Sequence, residues 1–203
     1  MEQFTVQSNE YLNQDVQAFY HQDYTTFGTD GNPDFLNYLK NQFDITNGQT
    51  LNNSMEQLKI VLNEDLPQIQ KLLDLDDLIV CVIPRAKRED YYSQNQKLFR
   101  RVVSDVVDKI VGLSNGVKFI MRHTNTKTTH LEKSGYGGIG DLPYVGITKK
   151  TCDISKDIKD KNILLIDDIY TSGVNIDEDA IQALYDNGAK NVFFYAVGKT
   201  FKG

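Results

Sequence analysis

The segment Ile163-Leu164-Leu165-Ile166 constrains the fold of this chain more than any other. Four consecutive branched apolar residues are too few for a buried helix and suit a strand covered on both faces, the condition of a parallel sheet lying between helices. Asp167 and Asp168 follow directly, then Ile169, Tyr170, Thr171, Ser172 and Gly173. From Val174 to Asn187 the apolar residues Ile176, Ala180, Ile181 and Leu184 recur at helical spacing, up to Gly188, which reads as a C-terminal cap. Strand, loop and helix in this order predict an α/β fold with a mainly parallel central sheet flanked by helices. Ligands of such sheets bind beyond the carboxyl ends of the strands, so the acid pair is expected to face a crevice.

The residue types around that crevice suit a phosphorylated sugar. Two carboxylates accept hydrogen bonds from vicinal hydroxyls. Thr171, Ser172 and Gly173 bring hydroxyls and closely approaching backbone to a helix N-terminus, where free N–H groups accommodate a phosphate monoester. The helix dipole contributes only ~0.3–1 kcal/mol, so charge-assisted hydrogen bonds of about 1.5–3 kcal/mol each supply most of the grip. An isolated Asp-Asp is equally at home starting a turn or capping a helix; the following Thr-Ser-Gly favours a site. A phosphoaspartyl hydrolase needs a second Asp two positions after the first, where this chain has Ile169. A response-regulator receiver places its acidic pair near the start of the domain, whereas here there is room for about one further strand.

Composition sets the frame. The 203 residues, 40% hydrophobic, suffice for one sizeable core with an appended subdomain. The longest apolar run is Leu78 to Ile83, far short of a membrane span, and Met1-Glu2-Gln3 lacks the basic and apolar regions of a secretory leader. A soluble, cytoplasmic protein with no membrane partner is expected. Two cysteines, Cys81 and Cys152, supply neither a zinc site nor a disulfide framework. Residues 1–75 hold eleven acidic and three basic side chains, whereas residues 84–133 hold eleven basic and five acidic ones, including all five arginines. The basic middle implies an anionic ligand. Nucleic acid is disfavoured because the whole chain carries a net charge of −6.

Residues 1–50 mix polar and aromatic side chains without a sustained period, with a turn at Thr29–Pro33 and a short helix from Asn32-Pro33 to Phe43. Ser54-Met55-Glu56-Gln57 matches a capping box opening a helix, with Leu58, Val61, Leu62 and Leu66 on one face and an interruption near Pro67. Residues 1–75 are therefore expected to form a mostly helical or irregular cover, and residues 76–203 the α/β core. Leu78–Ile83 is a strand closed by Pro84. The basic residues Arg85, Lys87 and Arg88 follow, ahead of a helix from Ser93 whose apolar face runs from Leu98 to Ile110. Strand, basic loop and helix again describe an anion site, although a merely solvated loop has the same composition. Val117–Met121 is a short strand candidate. The stretch that follows it contains Arg122, His123, Lys127, His130, Lys133 and four glycines between Gly135 and Gly140, a length and composition typical of functional or disordered loops. His123 and His130 lack metal-ligand spacing.

The segment Ile163–Asn175 resembles the thirteen-residue phosphoribosyl-pyrophosphate (PRPP) motif of type I phosphoribosyltransferases. The string from Ile83-Pro84 to Gln94-Asn95-Gln96 is similar to the ComF-like, or amidophosphoribosyltransferase-like, branch, through Pro84, the basic loop and the Asn95-Gln96 pair. About residues 78 to 198 match the family core. Tyr170 stands where an aliphatic residue is commoner, Asn175 where Ser or Thr is usual, and Tyr92-Ser93-Gln94 replaces the customary Arg-Gly. The branch's N-terminal cysteine-rich zinc element has no counterpart.

The resemblance implies a type I phosphoribosyltransferase fold and a pentosyltransferase that binds PRPP and Mg2+ and displaces pyrophosphate from the anomeric carbon with a nitrogenous acceptor. Asp167 and Asp168 would bind the ribose hydroxyls, Thr171, Ser172, Gly173, Val174 and Asn175 the 5'-phosphate, and Arg85, Ala86, Lys87 and Arg88 the pyrophosphate. Arg122, Lys127 and Lys133 would belong to a lid that excludes water. Mg2+ would be held mainly by PRPP oxygens, with Asp167 or Asp168 reaching it through water. A homodimer is compatible with this. Two other functions fit the same residues: a regulator that binds PRPP or a nucleotide without turnover, and a ComF-like accessory protein in DNA uptake or processing.

Overall fold

The computed structural model describes residues 1–126 and 146–201. Among these, eight strands and four α-helices are present. The strands are β1 (Glu2–Val6), β2 (Val16–Tyr24), β3 (Leu78–Val82), β4 (Leu113–Asn115), β5 (Ile120–Arg122), β6 (Cys152–Ile154), β7 (Asn162–Tyr170) and β8 (Asn191–Thr200). The helices are α1 (Phe35–Lys40), α2 (Gly48–Leu73), α3 (Leu98–Val107) and α4 (Ile176–Asp186). Six strands form one sheet in the order β1-β2-β8-β7-β3-β4, parallel except for the antiparallel edge strand β1. β5 and β6 form a separate antiparallel pair. The molecule is thus α/β, with a mostly parallel mixed sheet flanked by helices. No helix among the described residues is long and apolar enough to cross a membrane.

Both faces of the sheet are covered, which is why its central strands read as uninterrupted apolar runs. Leu78, Val80, Val82, Leu164 and Ile166 point to one face, where α2 and α3 pack on them. Cys81, Ile163 and Leu165 alternate to the other face, beneath α4. From β3 the chain passes through α3 to β4 on one side. It then returns to β7 on the opposite side of β3 and continues through α4 to β8. The direction of winding therefore reverses between β3 and β7, and a crevice opens at such a switch point beyond the carboxyl ends of the strands.

Three features differ from expectation. Residues 1–75 are helical only in part: β1 and β2 belong to the main sheet, with β2 paired in parallel to β8 from Ala18↔Phe194 to Tyr24↔Thr200. Their mixed polar and aromatic sequence reflects a position at the sheet margin, where Glu2, Gln3, Thr5 and Gln17 meet water while Ala18 and Phe19 are buried on opposite faces. Ser54 does not begin a helix, because α2 starts at Gly48, where the Asn47 side chain accepts a hydrogen bond from Thr50 N at 2.9 Å; Ser54 lies buried within it. Nor does Pro67 break α2. It lies on the exposed side of the helix, as does Asn63, whose carbonyl loses its partner to the missing proline N–H and is left facing water. Leu58, Val61, Leu62 and Leu66 do form the buried stripe.

Candidate functional site

Because β3 pairs directly with β7, the two loops singled out in the sequence open side by side. Together they wall a cavity of about 790 Å³. Arg85, Ala86 and Lys87 line it from the first loop, and Asp167, Asp168, Thr171, Gly173 and Val174 from β7 and the second. Arg122 lines it as well, and Lys40 and Gln42 reach it from the N-terminal segment. Arg88, Ser172 and Asn175 are not among its walls. Lys127 and Lys133, with His130 and the glycine run, lie outside the described residues.

β7 runs four residues beyond the apolar core, so the acid pair lies within the strand rather than after it. Successive strand side chains point to opposite faces, and the two acids therefore diverge. Asp167 turns towards α4, where it meets the carboxyl of Asp177. Asp168 turns towards α1, where Lys40 Nζ lies 3.6 Å from its Oδ2. Burial and the neighbouring Asp168 charge push the Asp167 carboxyl up to about 7. Asp177, 3% exposed, is pushed well above the usual carboxylate range by burial and then by Asp167. Two carboxyls in this position hold a proton between them near neutrality. Next to them the Tyr170 hydroxyl donates to Glu178 Oε1 at 3.0 Å, and burial followed by the Glu178 charge raises its pKa.

The loop from Thr171 to Asn175 is shaped by two left-handed residues, Gly173 (φ 83°) and Asn175 (φ 64°). A Cβ at Gly173 would meet nothing within 4 Å, so glycine is required there by conformation and not by crowding. Val174 N donates to Thr171 O at 3.2 Å. Among the described residues the amides of Ser172, Gly173 and Asn175 donate to no backbone carbonyl, which leaves three donors for a ligand. The Asn175 side-chain carbonyl accepts from Asn9 Nδ2 at 3.1 Å and gives α4 no side-chain cap. The first turn of α4 holds Asp177, Glu178 and Asp179. These acids already complement the helix dipole, so the loop amides and the cations across the cavity must hold any anion there.

The basic loop is fastened from two sides. Arg85 donates through Nη1 to Gln96 O at 2.9 Å and through Nη2 to Gln42 Oε1 at 3.2 Å, and its guanidinium stacks 4.2 Å over the Tyr92 ring. The Tyr92 hydroxyl also accepts from Lys87 N at 3.0 Å. From the other side, the Ala86 carbonyl accepts from Thr126 N at 2.8 Å and Thr126 Oγ1 at 3.0 Å. Lys87 Nζ donates to Thr126 O at 2.5 Å, and Arg122 Nε to Arg85 O at 2.8 Å. Arg122 is buried in β5, where it braces the loop. Arg88 is exposed and ion-paired with Asp90.

Sequence reasoning passed over Lys40, Gln42 and Asp177. Lys40 had one usable signal, as one of three cations in an otherwise acidic 75-residue segment; its meeting with Asp168 depends on where α1 docks. For metal, Asp167 and Asp168 offer cavity carboxylates, while no group of three or more candidate ligands among the described residues could hold an ion unaided. Any divalent ion would need oxygens from its ligand. No protein-family model matches this chain, and no curated protein matches it.

Proposed function

We propose that the cavity binds PRPP together with Mg2+, that the fold is of the type I phosphoribosyltransferase kind, and that the protein transfers the phosphoribosyl group to a nitrogenous acceptor with loss of pyrophosphate. The observation that carries this reading is the meeting, in one cavity at the β3/β7 switch point, of the basic loop Arg85–Lys87 with the acids Asp167 and Asp168 and the Thr171–Val174 turn. The Gly173 amide, with the Thr171 hydroxyl, holds the 5'-phosphate. Asp167 and Asp168 orient the ribose hydroxyls from opposite sides of β7. Arg85 and Lys87, already fixed by hydrogen bonds, bring preorganised positive potential to the leaving pyrophosphate, where negative charge develops. Mg2+ supplies further neutralisation of that charge when it enters with the diphosphate oxygens. The Asp168 carboxylate also favours the cationic ring of an oxocarbenium-like transition state over the neutral sugar.

Titration calorimetry with PRPP and Mg2+ tests the binding, with heat release and a rise in melting temperature expected at millimolar ligand; absence of both overturns the reading. Gly173→Val, which strains the left-handed turn, is expected to weaken PRPP binding about tenfold or more. The tie between Asn175 and Asn9 and the acid-rich start of α4 favour a second reading, a regulator that binds PRPP or a nucleotide without turnover. Pyrophosphate release with any nitrogenous acceptor excludes that alternative.

A further inference from the structure

A second basic hollow of about 500 Å³ lies beyond Arg100 from the candidate site. Lys97, Arg100, Arg101 and Lys118 line it, with Glu89 as the sole acid among its described walls. Lys97 immediately precedes α3, Arg100 and Arg101 lie in the first turn of that helix, and Lys118 comes from the β4–β5 connection. Among the described residues none of these four cations forms an ion pair. The groups that Arg100 and Arg101 bond are neutral: Arg101 Nη2 donates to Gln94 Oε1 at 3.0 Å, and Arg100 Nη2 donates to the carbonyls of Val117 and Ile120. Arg100 is half-buried, and its guanidinium has given up water for the field of Glu89, a carboxylate that forms no ion pair with it. Four like charges held around one concavity are a standing repulsion that a bound anion relieves.

We propose that this hollow is a second anion site, taking the phosphate group of a small phosphorylated ligand. Arg100, Lys97 and Glu89 line both cavities, whereas Arg101 and Lys118 line only this one, so the two sites are adjacent and separable by substitution. A small ligand fits better than a nucleic-acid strand because the basic surface is bounded. Asn115, at one wall of the hollow, donates to Asp108 Oδ1 at 2.9 Å, and a phosphodiester backbone continuing that way would meet this carboxylate. The net charge of −6 also offers no extended basic track.

The probe is inorganic pyrophosphate, titrated by calorimetry into the full chain, into Arg101→Glu/Lys118→Glu and into Lys87→Gln, which alters only the first cavity, with circular dichroism melts to check folding. The milder Arg101→Gln/Lys118→Gln pair serves if the charge reversal fails to fold. The expected result is a binding step weakened about tenfold or more by the charge substitutions and retained in Lys87→Gln. An isotherm unchanged by the charge substitutions overturns the proposal, as does absence of pyrophosphate binding by the full chain. So does binding of a single-stranded oligonucleotide, with a steep salt dependence that the same substitutions remove, in place of pyrophosphate binding.

Discussion

Asp167 and Asp177 meet where β7 gives way to the α4 loop; burial and the Asp168 charge raise Asp167, and burial and the Asp167 charge raise Asp177. The folded Asp167 carboxyl titrates at about 7, against an ordinary value of 3.8, so between these pH values the native state holds more protons than the unfolded chain. Stability therefore falls as pH rises through that window. Asp177→Asn is expected to raise stability by ~1–3 kcal/mol at pH 8 and by less at pH 5, measured by urea unfolding at both values; equal changes at the two would contradict the coupling. Carbon-detected NMR titration of Asp168→Asn should show Asp167 moving back towards the normal carboxylate range, because the Asp168 charge is the neighbour that raises it. A second buried acid, Asp65, accepts from the Tyr195 hydroxyl at 2.7 Å and faces His21 Nδ1 at 3.0 Å, while its Oδ1 has no partner. Tyr195→Phe removes one of few contacts to a fully buried carboxylate and should cost ~1–3 kcal/mol in guanidinium unfolding. At this scale the acid pair was legible because a four-residue apolar run ends in it. The divergence of the pair was not, since it depends on β7 continuing to Tyr170, and neither were Lys40 and Asp177, which other elements deliver.

Elements were readable where one periodicity dominated. β3, α3, β7, α4 and the buried stripe of α2 follow from unbroken apolar runs or clear helical spacing, and the two anion loops follow from what those elements flank. β4 escaped notice because three residues, Leu113–Asn115, carry no pattern of their own. β1 and β2 escaped because marginal strands alternate weakly. The beginning of α2 was misplaced because Ser54 through Gln57 carries the residues of a capping box without its position. Asn47→Ala is therefore expected to cost about 0.5–2 kcal/mol, with Ser54→Ala costing less. Urea midpoints for the two variants decide this, and the opposite order would return the helix start to Ser54.

For the whole molecule, the expected division into a cover and a core meets a sheet shared by both. Leu58, Leu62, Leu66 and Ile69 of α2 are fully buried in the cluster formed with β3, β7 and α3, and β2 satisfies one edge of β8. A chain beginning at residue 76 would expose that face and that edge together. It is expected to lack cooperative unfolding and to self-associate, as read by near-ultraviolet circular dichroism and size-exclusion chromatography; a monomeric, cooperatively melting fragment would show that the core stands alone. The β2–β8 pairing has a further result for how the protein is made. β2 is made long before β8 and until then is hydrogen-bonded on one side only, by β1, so the sheet closes through a pairing between strands far apart in the chain, the slow kind of step in folding.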